Sequence, residues 1–548
     1  GWAVGRLGVI LHTDDRGRTW QPQHSGTSAD LAKVQFIDGN RGWIAGGRTR
    51  MGETNESMRH DQRGGYGYIL HTADGGKTWH VQYAEQGRYL FGLYMLDENN
   101  GWACGERGHL LKTIDGGENW TATSNSGTLK WLYDIEFLDD PERGFAVGTD
   151  ETVIATTDGG KSWSAVKAPS EWSYNGFLPI YKAIDFQGEK GWIVGQNGVI
   201  LGTENGGRSW TVQGGDLFKP GLRMLLDLDN VHFADSRHGW AVGRLGSRIM
   251  ATDDGGASWR LIPLPNRVSL SGVWLGKEGH AVVVGALGTV MLTENRGESW
   301  TRSKPIEEPR LDVLTLMAHG DDGAIYLGAL YSYYSLAKGL RMGDIEILRD
   351  WHSVEYEGET YNQEHNRSCN LMGCVMTDYH DEFENGNNGC DYYHFTQRTW
   401  NDEKPVVWNL VAAIRTYRPD VVLTHDPVFG EYDKPGHKLT GRATLEAFST
   451  AGGEVDRWPE LTRLGLGPWQ PKKLYCMASE SYPETLDLTR VLQEPLKNTG
   501  LTALEWSDWA IRCFQSQGIY HVRASHLSLM KSLVPVPDKE TCIMEGIE

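Results

Sequence analysis

Positive charge is scarce in this 548-residue sequence, which has 53 Lys and Arg residues against 72 Asp and Glu residues and a formal net charge of −19 at pH 7. So acidic a chain argues against a nucleic-acid-binding surface as its main role, because such surfaces are built from clustered Lys and Arg. It also disfavours adhesion to anionic lipid. Long apolar runs are lacking too, since no segment reaches the ~20 residues of a membrane-spanning helix. We therefore expect no nucleic-acid partner and no transmembrane segment.

Cysteine is sparse and forms no recognisable pattern. The seven cysteines include no C-x-x-C pair, so neither a disulfide framework nor a Cys-rich zinc site is predicted. Six of them lie in the second half, where one or two disulfides remain open. The chain opens with GWAVG and no Met, so the start looks truncated, and no signal peptide is visible. We expect an extracytoplasmic location in preference to a cytoplasmic one.

A short pattern is present seven times in the first three hundred residues and then stops. Each copy is a Thr, an Asp or Asn two residues later, a Gly two further on and a Trp three after that. A second element such as GWAVG (239–243) precedes each copy, and a third that alternates apolar and polar residues, such as VQFID (34–38), precedes six of them. Such alternation predicts a half-buried strand, and the repeat length suits a four-stranded propeller blade. The seven boxes span residues 13–20, 72–79, 113–120, 156–163, 203–210, 252–259 and 293–300.

The residues of the box have a local structural role. Asp and Thr side chains bond the backbone of a tight turn, Gly supplies a positive φ, and the Trp covers the hairpin and packs between blades. The boxes resemble the Asp-box (BNR) repeats of sialidases and of photosystem II assembly-factor-like propellers, and their pairing with GWAVG is more like the latter. The resemblance implies a seven-bladed β-propeller over residues 1–305, whose first blade lacks its leading strand. We expect it to be a scaffold or a recognition module for a protein or glycan partner.

The pattern changes class after Trp300. LDVLTLMA (311–318) is a continuous apolar run, typical of a strand buried on both faces. The apolar stretch 324–339 predicts a helix, and the helix-like segment 406–417 leads into a strand at 420–425. Alternating strands and helices predict an α/β Rossmann-like domain with a mainly parallel sheet over residues 309–548. Ligands of such sheets bind beyond the carboxyl ends of the strands.

Two segments at predicted strand ends resemble a known family. AHGDDG (318–323) is similar to the A-H-P-D-D-E opening of the PIG-L/LmbE-like zinc-dependent deacetylases, and RPDVVLTHDPVFGEYDKPGH (418–437) is similar to their second motif. WQPKKLY (469–475) and Ser516-Gln517 resemble later landmarks of that family. The two motifs stand in the family's order and both follow predicted strands. The resemblance therefore implies hydrolysis of the acetamide of an N-acetylglucosamine-type substrate, either a small molecule or a glycoconjugate.

The resemblance also assigns roles to individual residues. His319, Asp322 and His437 would hold Zn²⁺, because two imidazoles and one carboxylate suit zinc with an open position for water. Asp321 would be the general base that takes a proton from that water. His425 and Asp426, just past a strand, are expected to shape their loop rather than to bind metal.

The chain departs from the family pattern at four positions that flank the inferred ligands and base. Gly320 replaces the family Pro, Gly323 replaces a Glu, and Gly436 replaces an Asp or Glu. Lys434 stands where the family has the first His of its second motif, and as a cation it would stabilise an oxyanion or protonate the leaving amine.

Three functions follow from these observations. The first is a zinc-dependent N-deacetylase fused to a propeller that recruits substrate or partner. The second is a catalytically degenerate carbohydrate-binding or assembly protein, which the replaced flanking residues favour. The third is sialidase activity in the propeller, for which the expected arginine cluster and Tyr/Glu pair are not apparent.

Overall fold

The computed structural model has two compact units, whose described residues lie within 1–307 and within 308–548. It describes all residues outside the following positions: 6–7, 28, 49–65, 87, 124–125, 170–178, 215–227, 244–247, 265–269, 277, 286–287, 304–309, 319, 350–368, 370–371, 373, 375, 385–403, 429–434, 454, 464–465, 478–481, 483, 488, 490, 494, 497–499, 512–525, 537–539, 541 and 548.

The first unit is a seven-bladed β-propeller, in which each blade is one antiparallel sheet. Six blades have four strands, and the first has three among the described residues. In chain order the blades consist of β1 (Trp2–Val4), β2 (Val9–His12) and β3 (Gln21–His24); β4 (Asp30–Phe36), β5 (Gly42–Arg48), β6 (Tyr66–Thr72) and β7 (His80–Gln86); β8 (Leu90–Met95), β9 (Gly101–Gly105), β10 (Leu110–Thr113) and β11 (Thr121–Ala122); β12 (Leu132–Phe137), β13 (Gly144–Gly148), β14 (Val153–Thr156) and β15 (Ser164–Ala165); β16 (Tyr181–Gln187), β17 (Lys190–Gly195), β18 (Ile200–Thr203) and β19 (Thr211–Val212); β20 (Leu228–Phe233), β21 (Gly239–Gly243), β22 (Arg248–Thr252) and β23 (Arg260–Pro263); β24 (Leu270–Leu275), β25 (Ala281–Gly285), β26 (Thr289–Thr293) and β27 (Thr301–Arg302).

Each repeated box forms the same hydrogen-bonded turn between the last two strands of its blade. In the fourth blade the Thr156 hydroxyl donates to Asp158 Oδ1 (2.8 Å) and accepts from the Gly160 N–H (2.8 Å). The second carboxylate oxygen of Asp158 accepts from the Ser162 hydroxyl (2.6 Å). Gly160 has a φ of 84°, a conformation that favours glycine. The turn chemistry predicted from the sequence is confirmed.

Tryptophan stacking joins neighbouring blades, and the residues that do it belong to the GWAVG-like element. Trp102 of β9 stacks on Phe137 of the next blade with ring centroids 3.7 Å apart. The box residue Trp163 meets the same Phe137 edge-on at 6.0 Å from within its own blade. The last blade closes on the first, since Arg18 pairs with Glu294.

The second unit contains one mixed seven-stranded sheet in the order β30-β29-β28-β31-β32-β34-β33. The first four pairings in this order are parallel and the last two are antiparallel. Its strands are β28 (Val313–Met317), β29 (Met342–Arg349), β30 (Met376–Glu384), β31 (Val421–Thr424), β32 (Lys473–Met477), β33 (Glu484–Asp487) and β34 (His526–Ser532). Its described α-helices are α1 (Gly320–Tyr331), α2 (Lys404–Tyr417), α3 (Pro435–Thr450), α4 (Pro459–Arg463) and α5 (Ala503–Ala510).

The strands β28, β31 and β32 at the centre of this sheet are buried along their whole length. Helices cover them: α1 packs on β28 and β29, and α3 packs on β28 and β31. Helix α1 begins at Gly320, earlier than its apolar stretch predicts, and continues as a π-helical segment (Ser332–Ala337) up to Gly339, whose φ is 78°. The predicted helix end at Lys338-Gly339 is confirmed.

Candidate functional site

The two motif segments follow strands that are neighbours in the sheet. β28 and β31 are parallel, with Leu316 opposite Thr424, and the Thr424 hydroxyl donates to the Leu316 carbonyl (2.9 Å). Because parallel strands end at one edge of the sheet, the residues after Met317 and those after Thr424 lie side by side. This edge is where the sequence predicts the chemistry.

Three buried side chains converge there. Asp322, His425 and His437 are 3%, 0% and 0% exposed. Asp322 Oδ2 lies 3.3 Å from His437 Nε2 and 3.3 Å from His425 Nε2. The two imidazole rings are stacked with their centroids 4.2 Å apart. We call these residues the Asp322–His425–His437 cluster.

Local sequence explains how each member reaches the cluster. Asp322 lies in the first turn of α1, where an acidic side chain interacts favourably with the helix dipole. His437 lies near the start of α3, which runs close to the end of β31 because Gly441 has no side chain. A Cβ at position 441 would lie 2.5 Å from the His425 carbonyl oxygen.

His425 makes a second contact that bears on its role. Its Nε2 accepts a hydrogen bond from the Ala318 N–H (3.0 Å), and so ties the end of β31 to the end of β28. This contact agrees with the loop-shaping role predicted from the sequence. What the sequence reasoning missed is that the same nitrogen lies beside Asp322. The position of His425 directly after a strand was the available signal.

The structure brings together two of the five predicted site residues, Asp322 and His437. Asp321 also lies in the first turn of α1, but the position of its side chain is outside the described part of the chain. His319 and Lys434 are outside the described residues.

The donors of the cluster fit a zinc ion. Their ligand atoms all lie within 4.8 Å of one another, and imidazole nitrogen with carboxylate oxygen is a donor set that zinc favours. Bonds of ~2.0–2.1 Å in a tetrahedron place neighbouring ligand atoms about 3.3 Å apart. The Asp322–His437 and Asp322–His425 separations, both 3.3 Å, have that value.

Among the helices in the described ranges, none is both long and apolar enough to cross a bilayer.

Comparison with known proteins finds different relatives for the two parts of the chain. Residues 123–227 match the family model of photosynthesis system II assembly factor YCF48. The 1D-myo-inositol 2-acetamido-2-deoxy-alpha-D-glucopyranoside deacetylase of Thermobifida fusca is 34% identical over 96 residues, which are 18% of this chain and 30% of that protein. The mycothiol S-conjugate amidase of Streptomyces coelicolor is 33% identical over 103 residues, which are 19% of this chain and 32% of that protein. The chain thus spans about a third of the length of these curated relatives.

A solved structure is also similar to the chain. The N,N'-diacetylchitobiose deacetylase of Pyrococcus horikoshii, complexed with its inhibitor MPG, aligns with a TM-score of 0.29 and 18% identity, over 38% of this chain and 70% of that one. The resemblances predicted from the sequence motifs, to an assembly-factor-like propeller and to a deacetylase, are confirmed by the family model and the curated relatives.

Proposed function

We propose that residues 309–548 form a PIG-L/LmbE-like zinc-dependent hydrolase that removes the acetyl group of an N-acetylglucosamine-type sugar. The observation that carries the proposal is the 3.3 Å approach of Asp322 Oδ2 to His437 Nε2 at the edge where β28 and β31 end. Both residues are buried, and a buried carboxylate beside two imidazoles is costly unless a cation or a proton offsets its charge. A bound Zn²⁺ provides that compensation.

Within the proposal, Asp322 and His437 hold the metal and His319 is the third ligand. His425 has its Nε2 lone pair directed at the Ala318 N–H, so we assign it to holding the two strand ends together. Zinc, when bound, polarises the amide carbonyl and acidifies water. His425 is the alternative third ligand, and to bind the metal it would have to give up that hydrogen bond.

Two residues next to the proposed ligands, Asp321 and Lys434, would each carry out one of the proton transfers. Asp321 follows β28 in the same turn as Asp322, so its carboxylate is suited to take a proton from the attacking water. Lys434 directly precedes α3, which carries His437, and its ammonium is suited to stabilise the oxyanion and protonate the departing amine. Acetate and the free amino sugar are the products.

The names of the curated relatives support this substrate class. One is a deacetylase of a 2-acetamido-2-deoxy-glucopyranoside and the other is an amidase, so both names denote attack on an amide bond. For the propeller we propose the recognition of a protein or glycan that presents the acetamido sugar. Its boxes serve the turns of the blades, which leaves the loops and the faces of the propeller for binding.

The test is acetate release from N-acetylglucosamine and its glycosides by the full chain with zinc added. His437→Ala should abolish both the release and the stoichiometric binding of zinc. The matched control is His238→Ala, which removes a partly exposed propeller imidazole paired with Asp235. Acetate release that persists in His437→Ala would refute the proposal. Zinc binding by the wild type with no hydrolysis of any acetamido sugar would instead support the catalytically degenerate alternative.

A further inference from the structure

A buried carboxylate lies directly beneath the helical turn that carries Asp322. Asp344, on β29, is fully buried. Its Oδ2 atom is so near Gly323 that a Cβ at position 323 would lie 2.3 Å from it. The same Cβ would lie 2.8 Å from the Tyr331 hydroxyl oxygen. Any side chain at position 323 would therefore displace the Asp344 carboxylate.

A set of hydrogen bonds holds this carboxylate in place. The Thr315 hydroxyl, directly opposite Asp344 on the neighbouring strand, donates to Asp344 Oδ1. The Tyr331 hydroxyl donates to Thr315 Oγ1 (2.9 Å), and the Cys369 thiol donates to Asp344 Oδ2 (3.6 Å). Burial, followed by the charge of Asp344, raises the pKa of the Tyr331 phenol well above its usual range, so this donor keeps its proton. The network joins β28, β29 and α1.

Such an arrangement costs stability, which points to a functional role for it. A carboxylate in an apolar interior is unfavourable, and glycine is a poor helix former, yet the chain combines both at one contact. The contact lies in the first turn of α1, one residue after Asp322. A negative charge at that end is favoured by the helix dipole, so an ionised Asp344 would hold this turn against the sheet.

We propose that Asp344 is a positioning residue of the candidate site: its carboxylate, packed against Gly323, fixes the first turn of α1 and with it the direction of the Asp322 carboxylate. The inference rests on the proposed function for the identity of the ion that Asp322 would bind. It assigns no contact between Asp344 and substrate or metal.

The first experiment measures zinc affinity by competition with a chromophoric chelator. Asp344→Asn keeps the shape of the side chain and removes its charge. Residues that support metal ligands typically change affinity about 10- to 100-fold, and we expect a loss of that size. The matched control is Ser507→Ala, which removes a buried contact with the Ser332 hydroxyl (2.7 Å) beyond the far end of α1. Zinc affinity unchanged in Asp344→Asn would overturn the proposal, as would an equal loss in both variants.

The second experiment tests the contact itself by a double-mutant cycle of Gly323→Ala and Asp344→Ala. All four proteins carry Tyr331→Phe, which removes the other close oxygen. With Asp344 present, the new methyl group meets the carboxylate and should lower both the midpoint of thermal unfolding and the affinity for zinc. With Asp344→Ala the methyl group has room, and its effect should shrink. Equal effects of Gly323→Ala in both backgrounds would contradict the proposal.

Failure of the proposed function gives a different result. A wild-type protein that binds no zinc refutes the hydrolase proposal, and the position of Asp322 then decides the inference. Crystal structures of the wild type and of Asp344→Asn should differ in the Asp322 Oδ2–His437 Nε2 separation, which is 3.3 Å here. The same separation in both structures would overturn the positioning role.

Discussion

Asp322 and His437 belong to two separate sequence motifs, and their side chains meet with Oδ2 and Nε2 3.3 Å apart. The strands that precede the two motifs are adjacent and parallel, and the helices that carry these residues both pack on β28. Because the two adjacent strands bring a carboxylate and an imidazole together, these two residues form part of a candidate metal centre. Four consequences can be measured.

The first prediction separates a metal ligand from a residue that holds strands together. Because His425 Nε2 accepts the Ala318 N–H, His425→Ala should weaken zinc binding about 10- to 100-fold and leave one zinc per chain at saturation. His437→Ala should lose stoichiometric zinc. Equilibrium dialysis followed by metal analysis measures both, with His238→Ala as the control. Complete loss of zinc from His425→Ala would instead make His425 a ligand.

The second prediction concerns the repeated turn. Thr156→Val removes the acceptor of the buried Gly160 N–H and should cost about 1–3 kcal/mol of unfolding free energy. Thr156→Ser keeps the hydroxyl and should recover most of that loss. Denaturant unfolding followed by tryptophan fluorescence reports mainly on the propeller, which holds 15 of the 22 tryptophans. Identical midpoints for the Val and Ser variants would show that the hydroxyl contributes nothing.

The third prediction is a pH dependence of propeller stability. Hydrogen bonds from the Ser162 side chain and backbone lower the pKa of Asp158 from 3.8 to about 2, and bonds from Thr19 lower that of Asp15 to about 2 in the same way. Because the folded pKa is depressed, the stabilisation is present above pH ~4 and is lost as the pH falls towards ~2. The difference in melting temperature between the wild type and Asp158→Asn should therefore shrink across that window. A constant difference from pH 6 to pH 2 would contradict it.

The fourth prediction concerns a buried ion pair in the second unit. Lys473 on β32 pairs with Glu540, and Tyr475 donates to the same carboxylate (2.7 Å). Lys473→Met leaves that carboxylate buried without its cation, which should cost about 3–5 kcal/mol. Lys473→Met combined with Glu540→Gln should cost less, because no charge is stranded. Chemical unfolding of the three proteins checks this, and a double variant less stable than Lys473→Met would contradict it.

Features set by neighbouring residues could be predicted from the sequence. The Thr156–Asp158–Gly160 turn is local, so its residue types and spacing specify its hydrogen bonds. The end of the helical segment at Gly339 is similarly local. The start of α1 was predicted too late, because the apolar stretch does not include the polar first turn that carries Asp322.

The Asp322–His437 approach was implied by the family resemblance, but other features set by distant pairings could not be predicted. His425 joins the cluster only because β31 lies next to β28, and no local pattern states the order of parallel strands. The stack of Trp102 on Phe137 is another such feature, since this partner on the next blade is reached only through blade packing. The predicted packing of a box tryptophan between blades is seen at Trp210, which meets Phe145 of the preceding blade edge-on. The Asp344–Gly323 contact likewise joins a strand to a helix that is distant in sequence. From the sequence alone, Gly323 could be recognised only as the position where the family's Glu carboxylate is absent.

The most direct test of the central claim is a crystal structure of the zinc-loaded protein with an anomalous difference map at the zinc absorption edge. We predict one strong peak about 2.0–2.2 Å from both Asp322 Oδ2 and His437 Nε2. A peak elsewhere, or a His437 imidazole turned away from Asp322, would contradict the proposed metal centre and the hydrolase built on it.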